Sequence, residues 1–107
     1  MKNSLGRYAD YLTLERMSSE RHEFLRGDVW EMAGGTPEHG RLAMALGRVL
    51  AQALQGRPCV VYSSDVRLRV VETDRSTYVD TFVVCGPDHR APDDPDAITN
   101  QGQVEQS

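Results

Sequence analysis

Three carboxylates stand where side-chain packing alone does not account for them. They are Glu23 in "RHEFLRGDVWEMAGG", Asp65 beside Ser63-Ser64, and Asp80 inside "TYVDTFVVC". A charge on a half-buried strand must be solvated, paired or used. Mg2+ takes oxygen ligands and keeps several waters, so one or two carboxylates suffice to hold it. Such an ion polarises a phosphoryl oxygen and lowers the pKa of its bound water. The expectation is that Glu23, Asp65 and Asp80 gather on one concave face around a divalent cation. The plain alternatives are local: Glu23 facing solvent on its strand, and Asp80 bonded to a turn amide at a strand end.

The elements that must position these residues read as an α/β domain. "YADYLTLERMSSE", 8–20, is a short helix with Thr13 as a candidate N-cap and Leu14 and Met17 on one face. Residues 21–25 and 28–33 alternate as a hairpin turned by Arg26-Gly27, which sets Leu25 opposite Asp28 and Glu23 opposite Trp30. The "RGD" at 26–28 is explained by turn geometry rather than by adhesion. A long helix follows, capped by Thr36 with Pro37 and Glu38 in its first turn and closed by Gly56 and Pro58. Its apolar stripe, Leu42, Leu46, Val49, Leu50, Ala53 and Leu54, calls for a sheet beneath it.

Residues 59–71 form a strand that breaks near Ser63-Ser64. Its second part alternates Val66, Leu68 and Val70 with Arg67 and Arg69. Residues 77–85 are nearly continuously apolar, as in a central strand, and beyond Gly86-Pro87 the chain reads as loop. The fold class is thus an α/β mixed sheet with a long helix packed across it, incomplete at its C-terminal side. A domain is expected over 1–100, with a divergent, disordered tail at 101–107.

Charge and cysteine content narrow the function classes. The net charge is −4. Residues 1–85 hold eleven basic and eleven acidic side chains, and residues 86–107 hold five acidic against Arg90 alone, so the body is neutral and the tail acidic. Every basic residue except Lys2 is an arginine. Any nucleic-acid surface must therefore be local: Arg67 and Arg69 on one strand face, with Arg41 and Arg48 on the helix, are the candidates. Cys59 and Cys85 lack metal-ligand spacing and read as buried free thiols of a reducing cytoplasm. The sequence has no membrane span and no apolar secretory region. His22 reads as a strand histidine next to Glu23, and His39 as an exposed residue of the long helix's first turn.

Several stretches, in this order and spacing, carry a family resemblance: "HEFLRGDVWEMAGG", "PEHGRLAMALGRVL", "GRPCVVYSSDVRLRV" and "TYVDTFVVCG". From about Tyr8 to Asn100 the chain resembles the Uma-type putative restriction endonuclease family, of the PD-(D/E)xK nuclease superfamily. The resemblance implies a restriction-endonuclease-like fold and Mg2+- or Mn2+-dependent hydrolysis of DNA phosphodiesters. It makes Glu23 and Asp80 the catalytic carboxylates, Asp80 the metal-bridging one, and Asp65 a supporting metal residue.

The sequence departs from the family pattern in two places. Val79 stands where the family has Pro before the aspartate. After "DAITN" the chain runs "QGQVEQS", without the apolar strand that carries the family's catalytic glutamate and a lysine two residues on. These departures imply a C-terminally truncated nuclease domain with activity near background and an exposed apolar sheet edge that invites a homodimer. The alternatives are a non-enzymatic nucleic-acid-binding module and a remnant without function.

Overall fold

A computed structural model of the protein describes residues 2–87 and 89–99. The tail expected at 101–107 lies outside the described residues. The elements run β1 (Lys2–Ser4), α1 (Tyr8–Met17), β2 (His22–Leu25), β3 (Asp28–Glu31), α2 (Pro37–Ala53), β4 (Cys59–Ser63), β5 (Arg67–Val70), β6 (Arg75–Thr77), β7 (Thr81–Cys85), β8 (Arg90–Ala91) and β9 (Asp94–Thr99). They form a seven-stranded sheet of order β1-β3-β2-β6-β5-β9-β8 and a separate β4-β7 pair. All ladders are antiparallel except β5–β9. This mixed α/β architecture is consistent with a restriction-endonuclease-like fold. No helix among the described residues is long and apolar enough to cross a membrane.

The hairpin forms in the expected register, with Glu23 opposite Trp30 and Leu25 opposite Asp28. Arg26 and Gly27 both have positive φ, 49° and 93°, the conformation a two-residue hairpin turn requires. Gly27 is further constrained by close approach: a Cβ there would lie 3.2 Å from Gly6 Cα. Its carbonyl accepts from the amides of Leu5 and Gly6, tying the N-terminal strand to the turn.

The first helix starts at Tyr8, as expected, and ends at Met17, but Thr13 does not cap it. Tyr8, Tyr11 and Leu12 recur at helical spacing, and Tyr11 and Leu12 are buried against Phe24 and Val29. That packing places Thr13 mid-helix, where its hydroxyl donates to Ala9 O, so it is no cap. The main core therefore lies under α1.

The long helix keeps its expected start: Thr36 Oγ1 accepts from the His39 amide at 3.1 Å, with Pro37 in the first turn. Its packing differs from expectation. It rests on the β4-β7 pair through the face of Ala43, Gly47, Leu50 and Leu54, all partly covered, and none of its residues is buried. The larger apolar side chains point outward, with Leu42 67%, Leu46 50% and Val49 52% exposed. The molecule is correspondingly flat, 42 × 36 × 20 Å.

Three further expectations are corrected. The apolar run 77–85 is not one central strand: Arg75–Thr77 pairs with β2 and β5, while Thr81–Cys85 pairs only with β4 among the described residues. The segment after Gly86-Pro87 is not simply loop, because Asp94–Thr99 becomes an interior strand between β5 and β8 with Ala97, Ile98 and Thr99 buried. Cys59 and Cys85 are not free thiols. They face each other across β4–β7 and form a disulfide.

Candidate functional site

Asp80 ends the connection from β6 to β7, where the chain leaves the large sheet for the small one. Its Oδ2 lies 2.7 Å from His39 Nε2, and the two side chains are 55% and 53% exposed. The pair stands on the wall of a cleft of about 810 Å³. Gly34, Gly35 and the first turns of α2 form one side, and Ser19–Arg21, Ser64 and Tyr78 form the other. Thr81, next to Asp80, donates its hydroxyl to Ala43 O at 3.4 Å, which fixes the start of β7 against α2.

The other two candidate carboxylates are elsewhere. Asp65 is 81% exposed and takes a hydrogen bond from Arg21 NH2 at 2.7 Å. It lines a second depression with Glu15, Arg67 and Asp96. Arg21 and Tyr78 border both concavities, and the Arg21 guanidinium lies 5.3 Å from the Tyr78 ring centroid, so this pair stands between Asp65 and the Asp80 cleft. Glu23 is on the face of β2 opposite to buried Phe24, and its Oε2 accepts from Arg75 Nε at 2.7 Å and NH2 at 2.6 Å. It lines a third depression with Trp30 and Arg75.

The structure therefore does not bring Glu23, Asp65 and Asp80 together. No group of three or more His, Cys, Asp or Glu residues placed to hold a metal ion occurs among the described residues. A Mg2+ site built from these three carboxylates does not fit this arrangement.

Arg67 and Arg69 are also placed differently from a phosphate-contacting surface. Their side chains are only 13% and 5% exposed. Arg67 grips Asp94 through Nε and NH2 and donates from NH1 to Tyr78 Oη. Arg69 donates to Asp74 and Asp93, with its guanidinium 3.8 Å from the Tyr8 ring centroid. The physical reason is the orientation of β5: its arginine face, not its Leu68 and Val70 face, turns toward the helix α1 aromatics.

These arginines belong to a buried hydrogen-bond network. Tyr8 Oη donates to Asp94 Oδ2 at 2.6 Å and lies 2.6 Å from Ser76 Oγ. Tyr78 Oη donates to Glu15 Oε2 at 2.7 Å, and Glu15 Oε1 lies 2.6 Å from His22 Nδ1. His22 thus pairs with Glu15, not with its neighbour Glu23. Burial pushes the Tyr8 phenol up, and the bond to Asp94 pushes it further. Burial also raises the Asp94 carboxyl, but the Arg67 and Tyr8 hydrogen bonds outweigh it and hold Asp94 below the ordinary aspartate range.

The residue that sequence reasoning passed over is His39. Its place in the first turn of α2 was readable, but its partner was not, because the two are 41 positions apart and meet only after β7 docks beside α2. The family profile described as "Uma2: Putative restriction endonuclease" matches residues 8–104. The chain belongs to the Uma2 family. Two uncharacterized proteins of Synechocystis sp. are similar to this Uma2 chain. Protein slr1290 is 31% identical over 81 residues, covering 76% of this chain and 43% of the relative. Protein sll1609 is 29% identical over 96 residues, covering 90% and 54%. The chain spans about half the length of these relatives. No solved structure matches.

Proposed function

We propose that this Uma2 chain is part of a DNA phosphodiesterase and that the Asp80 cleft is where it meets the nucleic-acid backbone. The observation that carries this reading is that Asp80, alone of the three expected carboxylates, opens on the large cleft. Family membership supports phosphodiester hydrolysis as the reaction and a divalent cation, Mg2+ or Mn2+, as its cofactor. Phosphate contacts come from Arg21 on the cleft wall and from Arg41 and Arg48, which are exposed on α2. Arg67 and Arg69 are not assigned to DNA, because both side chains are largely buried and bonded to Asp94, Asp93 and Asp74.

The described residues hold fewer acidic and basic groups around Asp80 than phosphoryl transfer needs. Each missing charge-stabilising group costs several kcal/mol, and every ~1.4 kcal/mol is tenfold in rate. Cleavage by these residues alone therefore stays near background, and the missing groups come from further sequence or another chain. The outward stripe of α2 and the edge of β7, which takes no second strand among the described residues, suit a second copy of this chain. A DNA substrate fits a cytoplasmic protein, in which the Cys59–Cys85 disulfide is exposed to cellular reductants.

Gel shifts with a short duplex test the binding half of this reading. Affinity that falls steeply with salt and drops in an Arg21→Ala, Arg41→Ala variant supports it; a flat salt response contradicts it. A plasmid-nicking assay with Mg2+ or Mn2+ tests the other half. Salt-sensitive binding with no Asp80-dependent nicking, even at high protein concentration, favours the second reading, a non-enzymatic DNA-binding module. The observation behind that second reading is the dispersal of the three carboxylates.

A further inference from the structure

The mixed donor pair in the cleft has a chemistry of its own. Mg2+ takes oxygen ligands, and Glu23, Asp65 and Asp80 do not converge on one ion among the described residues. What is assembled is one imidazole nitrogen and one carboxylate oxygen, 2.7 Å apart and both half exposed to the cleft. Two ligands in adjacent positions on one ion, each bonded at about 2.0–2.2 Å, stand roughly 3 Å apart. Opening the pair by a few tenths of an ångström is easy for half-exposed side chains.

Both donors are held from behind. The His39 amide is bonded to Thr36 Oγ1 at 3.1 Å. The His39 ring lies against Gly35, where a Cβ would sit 3.4 Å from Cδ2, so the absent side chain leaves room for the imidazole. Asp80 is held through Thr81, which bonds α2 one turn beyond His39. The result is a nitrogen and an oxygen fixed on two separate elements and facing the same opening. Imidazole favours the first-row transition metals, whereas Mg2+ prefers oxygen.

We propose that His39 and Asp80 form a two-donor site for a transition-metal dication of the Mn2+ to Zn2+ series, in preference to Mg2+. The proposal rests on the reading of Asp80 as a cation-binding residue and adds its nitrogen partner. The remaining positions of the ion face the cleft, where water or a phosphate oxygen fills them.

Electron paramagnetic resonance on the full chain tests this without reference to activity. Free Mn2+ is titrated with protein, with Mg2+ as competitor, and Cu2+ is added below one equivalent to report nitrogen coordination. The expected result is one Mn2+ per chain that Mg2+ displaces only in large excess, and a Cu2+ spectrum showing one imidazole nitrogen. His39→Ala removes the nitrogen coupling and weakens Mn2+ by roughly tenfold or more. Asp65→Asn, at a separate exposed carboxylate, changes neither. Circular dichroism confirms that the variants fold. If Asp80→Asn weakens Mn2+ binding and His39→Ala does not, the pair is overturned while Asp80 keeps its role. If neither substitution matters, both are overturned.

Discussion

Arg67 clamps Asp94 with two parallel hydrogen bonds, Nε to Oδ2 at 2.6 Å and NH2 to Oδ1 at 2.8 Å, and Asp94 is 1% exposed. The clamp joins β9 to β5, and through Tyr78 and Glu15 it reaches α1. Removing one partner strands a buried charge. Asp94→Ala is expected to cost about 3–5 kcal/mol, whereas the paired replacement Arg67→Met with Asp94→Leu costs much less. Urea unfolding of the native chain and the two variants decides this; equal losses for the single and double variants contradict it.

The same carboxylate sets an acid limit. Asp94 titrates below the ordinary value of 3.8 in the folded state, so it binds a proton more readily when unfolded. Its contribution is fully present above the unfolded value and is lost as pH falls through the folded one. Urea midpoints measured from neutral pH downward are expected to show the native chain's advantage over Asp94→Asn shrinking below 3.8. A constant advantage across that range contradicts the assignment.

The disulfide closes a sequence separation of 26 residues. Loop-closure entropy for a ring of that size is about 3.5 kcal/mol. Cys59→Ser with Cys85→Ser should lower the unfolding midpoint under oxidising conditions and match the reduced native chain. Thiol titration of the unfolded, unreduced protein checks the bond itself, and two free thiols per chain contradict it.

The outward face of α2 is expected to drive self-association. Leu42→Glu with Leu46→Glu should yield a monomer where the native chain associates, with a stability change within roughly 0.5 kcal/mol because both side chains are exposed. Sedimentation velocity reads the outcome. A native chain that stays monomeric at high concentration contradicts this expectation.

How far the sequence spoke for itself varies by element. The hairpin register and the start of α2 were legible because turn and cap chemistry is local: Arg26-Gly27 and Thr36-Pro37 act over a few residues. The faces were less legible. Alternation in "VRLRV" separates two sides of a strand without saying which is buried, and here the arginine side is covered because aspartates and a tyrosine ring await it. The strand Asp94–Thr99 was missed for a related reason: its polar composition hides an aspartate whose partner, Arg67, is supplied 27 residues upstream. Asp80 stands out in the sequence as a misfit in an apolar run, but its pairing with His39 does not, since no local pattern couples the first turn of a helix to a strand end so far along the chain.

The proposed function makes the Asp80 cleft the surface that meets nucleic acid. Amide shift mapping by NMR, with a short DNA duplex titrated into the chain, tests it most directly. The expected result is perturbations centred on Gly34, Gly35, His39, Ser64 and Asp80. Perturbations centred instead on the Glu23–Arg75 depression, or confined to the surroundings of Asp65, would contradict it.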